Sequence, residues 1–288
     1  MQGAGLEVGR DGAGNLFGRR GAGRIWVGSH LDTVPNGGKY DGALGVVTAI
    51  EAAERLPTTP LTVAVFRAEE SGPMGSRQLT DLPDAFVEAH IEQGPQLERL
   101  GEPLGIVTAI AAQARGSVTF EGRAAHAGTT PIDARSDALV EAARFVLHVR
   151  ESATANILAT VGSLEVEPGA MNVVPGRVTL TVDLRAQTAE ELDDAVAAIG
   201  VDPDWRLDPV PMSGPPLEAL RAALPGAPEL VSGAGHDAMV LAAAGVPSGM
   251  LFVRSLNGGA SHSPEELTSE DDIGLAVDAL ADALGRLC

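Results

Sequence analysis

Three short apolar runs end in residues that an apolar core would not choose, and this limits what the chain can fold into. Arg24 to Gly28 reads as a short buried strand with His30 just past its end. Leu61 to Arg67 (LTVAVFR) is a second strand, followed at once by Glu69 and Glu70. Ala85 to Ile91 is a third, with His90 near its end. Between the first two, Gly42 to Leu56 is apolar at helical spacing, and Pro57 and Pro60 act as stop signals. Strands alternating with helices predict an α/β layer with mostly parallel strands. Such sheets gather ligands at the carboxyl ends of their strands, where His30, Glu69 and Glu70 fall.

The pattern changes near Thr108. Segment 112–122 is strand-like, 133–150 helical, 156–166 a strand, 177–186 (RVTLTVDLRA) a clearly alternating strand and 188–199 a helix. Two such units predict a small α+β domain with an antiparallel sheet, of ferredoxin-like type. After about residue 212 the α/β character returns, with a helix over 235–244, a strand over 249–253 and a final amphipathic helix from Ser269 to the end. The expected organisation is one discontinuous α/β domain (1–107 and 212–288) interrupted by an inserted domain (108–211).

Composition removes several alternatives. A formal net charge of −19 repels nucleic acid phosphates and anionic membranes. It also means that an anionic substrate needs a dedicated cation in its site. The one cysteine, Cys288, permits no disulfide within the chain, which fits a reducing cytoplasm. Residues 1–10 are Gly-rich without an apolar signal core, and no stretch approaches the roughly 20 apolar residues of a membrane span. The expectation is a soluble cytoplasmic protein.

The chemistry-bearing residues lie in a few strings. GSHLDTVPNGGKYDG (28–42) offers His30, Asp32 and Asp41 in one Gly-rich stretch. Imidazole and carboxylate suit a borderline divalent metal such as zinc. Asp32, two residues on, is placed to orient the His30 ring, and Gly37, Gly38 and Gly42 let the backbone fold tightly around an ion. In RAEESG (67–72), the adjacent Glu69 and Glu70 repel each other unless cations neutralise them. One can bind metal while the other takes a proton from water. AHIEQG (89–94) adds His90, and GASHSPEE (259–266) adds His262 in a loop built for close approach. With His30, Asp41 and Glu70, these supply five ligands, enough for two ions sharing a bridging carboxylate.

His126, in GRAAHAGTTP, sits in a loop preceding a helix, where a donor imidazole can stabilise an oxyanion. His236, in SGAGHDA, falls at a helix start, and His148 reads as structural. Asn172 (MNVVPG) and Arg185 (the DLR at a strand end) are further candidates. Arg grips a carboxylate in two-pronged fashion, although Arg185 taken alone reads as a surface salt bridge.

Together the strings GSHLDTVPNGGKYDG, AEESGPMGSR, HIEQGPQLE, GRAAHAGTTP, MNVVPGRVTLTVDLR, SGAGHDAM and SHSPEE resemble one family, in the family's order. It comprises N-carbamoyl-L-amino-acid hydrolases, β-ureidopropionases and allantoate amidohydrolases, within the aminoacylase/carboxypeptidase-type metallohydrolase superfamily. HIEQGP separates this branch from the ordinary peptidases. The resemblance implies that His30, Asp41, Glu70, His90 and His262 hold two divalent ions per subunit, with Asp41 bridging them. Zinc or manganese is expected, with cobalt or nickel also compatible. It implies that Glu69 is the general base and His126 the oxyanion donor, and that Gln93, Asn172, Arg185 and His236 contact substrate. Arg185 is implied to hold the carboxylate of a small molecule whose ureido C–N bond is cleaved with release of ammonia and carbon dioxide. A homodimer joined through the inserted lid domain is implied as well.

Two departures accompany the match. The helical segment that precedes the first metal motif in relatives is missing, and only 19 residues separate Glu70 from His90, where relatives carry a longer stretch. Both remove scaffold and leave the motif residues in place. Two other readings share the motifs: an N-acyl amino acid or dipeptide hydrolase of the same superfamily, and a non-catalytic metal-stabilised binding protein. Retention of Glu69, which has no use in a purely structural metal site, favours catalysis.

Overall fold

A computed structural model describes residues 1–288. The chain forms two compact units, Met1–Ile110 with Val210–Cys288, and Ala111–Pro209. The first unit begins with a hairpin, β1 (Glu7–Arg10) and β2 (Leu16–Arg20), and continues through β3 (Ile25–His30), α1 (Ala43–Arg55), β4 (Leu61–Phe66), α2 (Met74–Arg77), β5 (Ala85–Ile91), α3 (Gln96–Leu100) and β6 (Leu104–Ile110). The second unit holds β7 (Ala112–Glu121), β8 (Ala125–His126), α4 (Ala138–Glu151), β9 (Ile157–Glu167), β10 (Val173–Val174), β11 (Arg177–Ala186), α5 (Ala189–Ile199) and β12 (Trp205–Leu207). The chain then returns to the first unit with β13 (Val210–Pro211), α6 (Pro215–Ala223), β14 (Glu229–Ser232), α7 (Asp237–Ala243), β15 (Ser248–Val253) and α8 (Glu270–Leu287).

The first unit is built on a nine-stranded sheet in the order β1-β2-β4-β3-β5-β15-β6-β13, with β14 also pairing β6. Strands β4, β3, β5 and β15 at its centre run parallel. Every residue of β4, β5 and β15 is buried, the signature of strands covered on both faces, and so they read as continuous apolar runs. The sheet is mixed rather than mostly parallel: β1, β2, β6 and β13 join through antiparallel ladders. The hairpin escapes a reading by periodicity because its strands are only four and five residues long. His30 is the last residue of β3 instead of lying past its end, since the ladder to β4 continues to His30↔Phe66.

Helix α8 begins at Ser269, whose side chain accepts the Asp272 N–H, and buries Ala276, Val277, Leu280, Ala283 and Leu284 at helical spacing. No helix is long and apolar enough to cross a membrane.

The second unit carries a four-stranded antiparallel sheet, β12-β7-β11-β9. Alternation on β11 sends Val178, Leu180, Val182, Leu184 and Ala186 to one face, where they form a core with residues of α4 and α5. Helix α5 is fixed by a capping box in which the Thr188 hydroxyl accepts the Glu191 N–H and the Glu191 carboxylate accepts the Thr188 N–H. His126 is not in a loop before a helix. It forms the two-residue β8, paired with β10 as Val173↔His126.

Candidate active site

The carboxyl ends of β3 and β5 bring His30 and His90 side by side, with 3.3 Å between their Nε2 atoms. Asp41 Oδ1 lies 3.6 Å from His30 Nε2 and 3.1 Å from His90 Nε2. Each ring is held from behind: the His30 Nδ1–H donates to the Asp32 carbonyl and the His90 Nδ1–H to the Ile91 carbonyl, both at 2.9 Å. Because a carbonyl only accepts, each Nδ1 carries its proton, and both Nε2 atoms face Asp41. Asp32 therefore orients His30 through its backbone. Its carboxylate lies 3.7 Å from His30 Nδ1 and also accepts the N–H groups of Glu69 (3.2 Å) and Glu70 (3.1 Å). That clamp sets the turn after β4 in which Ala68 adopts φ 54°.

Asp41 Oδ2 faces a second group. It lies 3.4 Å from His262 Nε2, which in turn lies 3.4 Å from Glu70 Oε2. The two oxygens of Asp41 thus divide the cluster into His30–Asp41–His90 and Asp41–Glu70–His262, each able to offer three ligand atoms to one ion. Gln93 Nε2 donates to Asp41 Oδ2 at 2.8 Å. Gln93 and His262 both adopt left-handed backbone, φ 57° and 55°. Non-glycine residues held this way cluster at functional sites.

The glycines here serve close approach between protein groups. A Cβ on Gly42 would sit 2.4 Å from the His30 ring, and one on Gly38 would sit 2.2 Å from Glu266 Oε1. That Glu266 oxygen accepts the N–H groups of Tyr40 (2.7 Å) and Asp41 (3.0 Å) and so fixes the Asp41 backbone.

Electrostatics point to cations. Burial lowers His30 to about 4, with His90 pushing the same way. Burial also opposes charge on His90, but the hydrogen bond and charge of Asp41 prevail and raise it to about 9. Burial would raise Asp41, yet His90, His30 and His262 together hold it below the usual carboxylate range. Burial, reinforced by Glu88, pushes Glu69 up to about 8. Glu70 is raised by burial and by Asp41, and its buried Oε1 has no hydrogen-bond partner. Too few donors therefore serve too many carboxylate oxygens. Imidazole nitrogens facing a shared carboxylate, beside a second carboxylate that lacks donors, suit a divalent cation at each group. A cation on His90 Nε2 would replace the proton that Asp41 otherwise holds there.

Other candidate residues occupy distinct places. Glu69 belongs to neither ligand group and is buried, with Oε2 3.8 Å from His30 Nε2. His236 is buried with its ring centroid 4.6 Å from that of His90, and Ser232 Oγ lies 2.9 Å from its Nε2. In the second unit, His126 and Asn172 come together across β8 and β10, where the Ala127 N–H donates to the Asn172 carbonyl at 2.9 Å. His126 Nδ1 accepts the Gly128 N–H at 3.0 Å, so its Nε2 carries the proton available for donation. Arg185 stands near the end of β11, opposite Gln113 and Leu158. His148 bonds the Ala198 carbonyl at 3.0 Å, a structural contact.

Several residues at the site escape a reading by motif. Glu266 and Ser261 lie in SHSPEE and its flank, but what they do is bond backbone and Asp41 at more than 200 residues' separation. Glu88 is fully buried inside an apolar strand, where it accepts Ser29 Oγ–H (2.9 Å) and the Ala238 N–H (2.7 Å). A charge in the middle of AFVEAHI is the signal that marks it. Glu92 accepts the N–H groups of Gln96 (2.6 Å) and Leu97 (2.8 Å), and so starts α3 just after Gln93.

Peptidase family M20/M25/M40 matches residues 26–286. The chain is 36% identical to an allantoate amidohydrolase of Bacillus subtilis, with all of this chain and 88% of that protein covered. It is 34% identical to an N-carbamoyl-L-amino acid amidohydrolase of Geobacillus stearothermophilus, with the same coverage. Among solved structures, a hydantoinase/carbamoylase family amidase of Burkholderia ambifaria superposes with a TM-score of 0.88 at 30% identity, covering 99% of this chain and 87% of that one. The match to the Bacillus subtilis protein runs over 368 positions against 288 residues here, so that relative carries internal residues without a counterpart in this chain.

Proposed function

The chain belongs to peptidase family M20/M25/M40, and from that premise we propose that it is a metal-dependent amidohydrolase cleaving the ureido C–N bond of an N-carbamoyl amino acid or allantoate. One water is consumed, and ammonia, carbon dioxide and the free amine are released. The two amidohydrolase relatives support this substrate class. The observation that carries the mechanism is the division of Asp41: one oxygen faces His30 and His90, the other His262 and Glu70, with Glu69 alongside.

Proteins of this family bind divalent metals. Here His30, His90 and Asp41 would hold one ion and Asp41, Glu70 and His262 a second. Zinc or manganese fits this donor set best, with cobalt or nickel compatible. Bound there, the ions would polarise the scissile carbonyl and acidify water. Glu69, buried and acting as a base outside both ligand groups, takes the proton of the attacking water and returns it to the leaving nitrogen. The His126 Nε2–H donates to the developing oxyanion. Arg185 grips the substrate carboxylate, while Gln93, Asn172 and His236 complete the substrate contacts. We place the protein in the cytoplasm, a setting that its single exposed thiol suits. We also take it as a homodimer joined through the inserted lid.

The deciding experiment is a substrate panel on zinc- and manganese-loaded protein with ammonia as readout. N-Carbamoyl amino acids or allantoate should release ammonia. Cleavage of dipeptides or N-acyl amino acids, with no ammonia from either ureido substrate, would overturn the proposal in favour of peptidase or acylase activity. A folded, metal-loaded protein that turned over nothing would favour a binding role.

A further inference from the structure

The face of the second unit's sheet opposite its core carries a row of side chains that the mechanism leaves unused. Asp183 and Arg185 are two apart on β11 and so project from the same face. Arg185 Nε donates to Asp183 Oδ1 at 2.9 Å. The other carboxylate oxygen, Oδ2, accepts Arg115 Nε–H at 2.8 Å. Arg115 is directly opposite Asp183 in the β7–β11 register, and Trp205 is directly opposite Arg115 in the β12–β7 register. The Arg115 guanidinium lies 5.1 Å from the centre of the Trp205 ring. Trp205, Arg115, Asp183 and Arg185 therefore form a lateral chain across three strands, anchored on an aromatic ring and ending at the guanidinium taken above to bind the substrate carboxylate.

We propose that Asp183 is a positioning residue that presets Arg185 for the substrate carboxylate, with Arg115 and Trp205 holding Asp183 in turn. The inference rests on the reading of Arg185 as the carboxylate grip. An arginine on a flexible stem must be ordered before it can make two parallel bonds to a carboxylate. Holding Nε in advance removes part of that cost from the binding step. Asp183 stays ionised in this position, because its bonds to Arg185 and Arg115 prevail over burial, which would raise it, and hold it below the ordinary value.

The sign of the effect separates this role from simple charge balance. Removing the charge of Asp183 leaves two uncompensated guanidiniums, which by Coulomb attraction alone would lower the KM of an anionic substrate. Loss of positioning raises it. The experiment measures KM and kcat of D183N, R115K and R185A on N-carbamoyl-L-alanine and allantoate. We expect D183N to raise KM roughly five- to twentyfold with kcat within about twofold, and D183E to recover part of the loss. R115K, which keeps the charge but replaces the planar fork, should shift KM the same way but less, and it tests the chain even if D183N folds poorly. If R185A raises KM while D183N leaves it unchanged or lowers it, the positioning role is wrong and the reading of Arg185 stands. If R185A leaves KM unchanged, the reading of Arg185 fails and takes this inference with it. Absence of turnover of both substrates by the native protein would defeat the proposed function and the inference together.

Discussion

The strand ends of the first unit and the open sheet face of the second place functional side chains by different means. At the ends of β3 and β5, His30 and His90 are each 1% exposed, and each ring is held from behind by a backbone carbonyl, that of Asp32 or Ile91. Asp41 is held through its main chain, whose N–H donates to the Glu266 carboxylate, and at Oδ2 by the Gln93 amide. On β11, the Arg185 side chain is 29% exposed, and the contacts described around it run from side chain to side chain through Asp183 and Arg115. Backbone locks cost little further ordering once the sheet has formed, whereas chains of long side chains pay rotamer entropy and are screened by solvent. A cage for ions demands the first, because ligand positions must hold within fractions of an ångström. A grip on a substrate carboxylate can work with the second.

The strongest way to break this comparison is to remove the shared ligand. Asp41→Ala should abolish both ligand groups at once, because each needs one of its oxygens. Metal analysis should fall well below two ions per chain, and ammonia release should vanish. Stripping metal from the native protein with a chelator should likewise lower its melting temperature by several degrees, since bound ions stabilise only the folded state. An Asp41→Ala protein with full metal content would show that the division of Asp41 has no bearing on binding. Next in size is Glu69→Gln. It keeps the shape and both ligand groups, so metal content should not change while kcat drops by about 10²–10⁴-fold. Metal loss in that variant would make Glu69 a ligand and dissolve the separation between caging and proton transfer.

The sequence makes the two regions legible to different degrees. Strands β4, β5 and β15 stand out because burial on both faces makes them unbroken apolar runs, and a His or Glu at such an end is conspicuous. The alternation of β11 and its neighbours discloses the second unit's sheet and the face on which Arg185 stands. What eludes sequence reading is support at long range. Nothing in SHSPEE announces that Glu266 reaches back to Tyr40 and Asp41, or that a side chain on Gly38 or Gly42 would collide with Glu266 or His30. The carboxylate of Asp32 is a similar case. Its nearness in sequence to His30 suggests a partner for that ring, but not that it also clamps the Glu69–Glu70 turn, which lies next to it only after β3 and β4 have paired. Local spacing carries the donor set, and tertiary pairing decides which donor serves which acceptor.

The smallest effect expected gives the sharpest test of that division. Ser261 Oγ is 3.3 Å from Asp41 Oδ2 and 3.4 Å from Glu266 Oε2, at the long end for a hydroxyl hydrogen bond. Asp41 Oδ2 already receives Gln93 Nε2 at 2.8 Å, and the Asp41 backbone is tied to Glu266 without help from Ser261. Ser261→Ala should therefore leave metal content intact and change kcat by less than roughly threefold. That is less than the KM shift expected on removing Asp183 from the second unit, although Ser261 lies beside Asp41 itself. Titration of metal affinity alongside kcat would decide the matter. A Ser261→Ala protein that lost an ion or slowed a hundredfold would mean that side-chain contacts, rather than backbone locks, hold the cage, and the contrast between the two units would collapse.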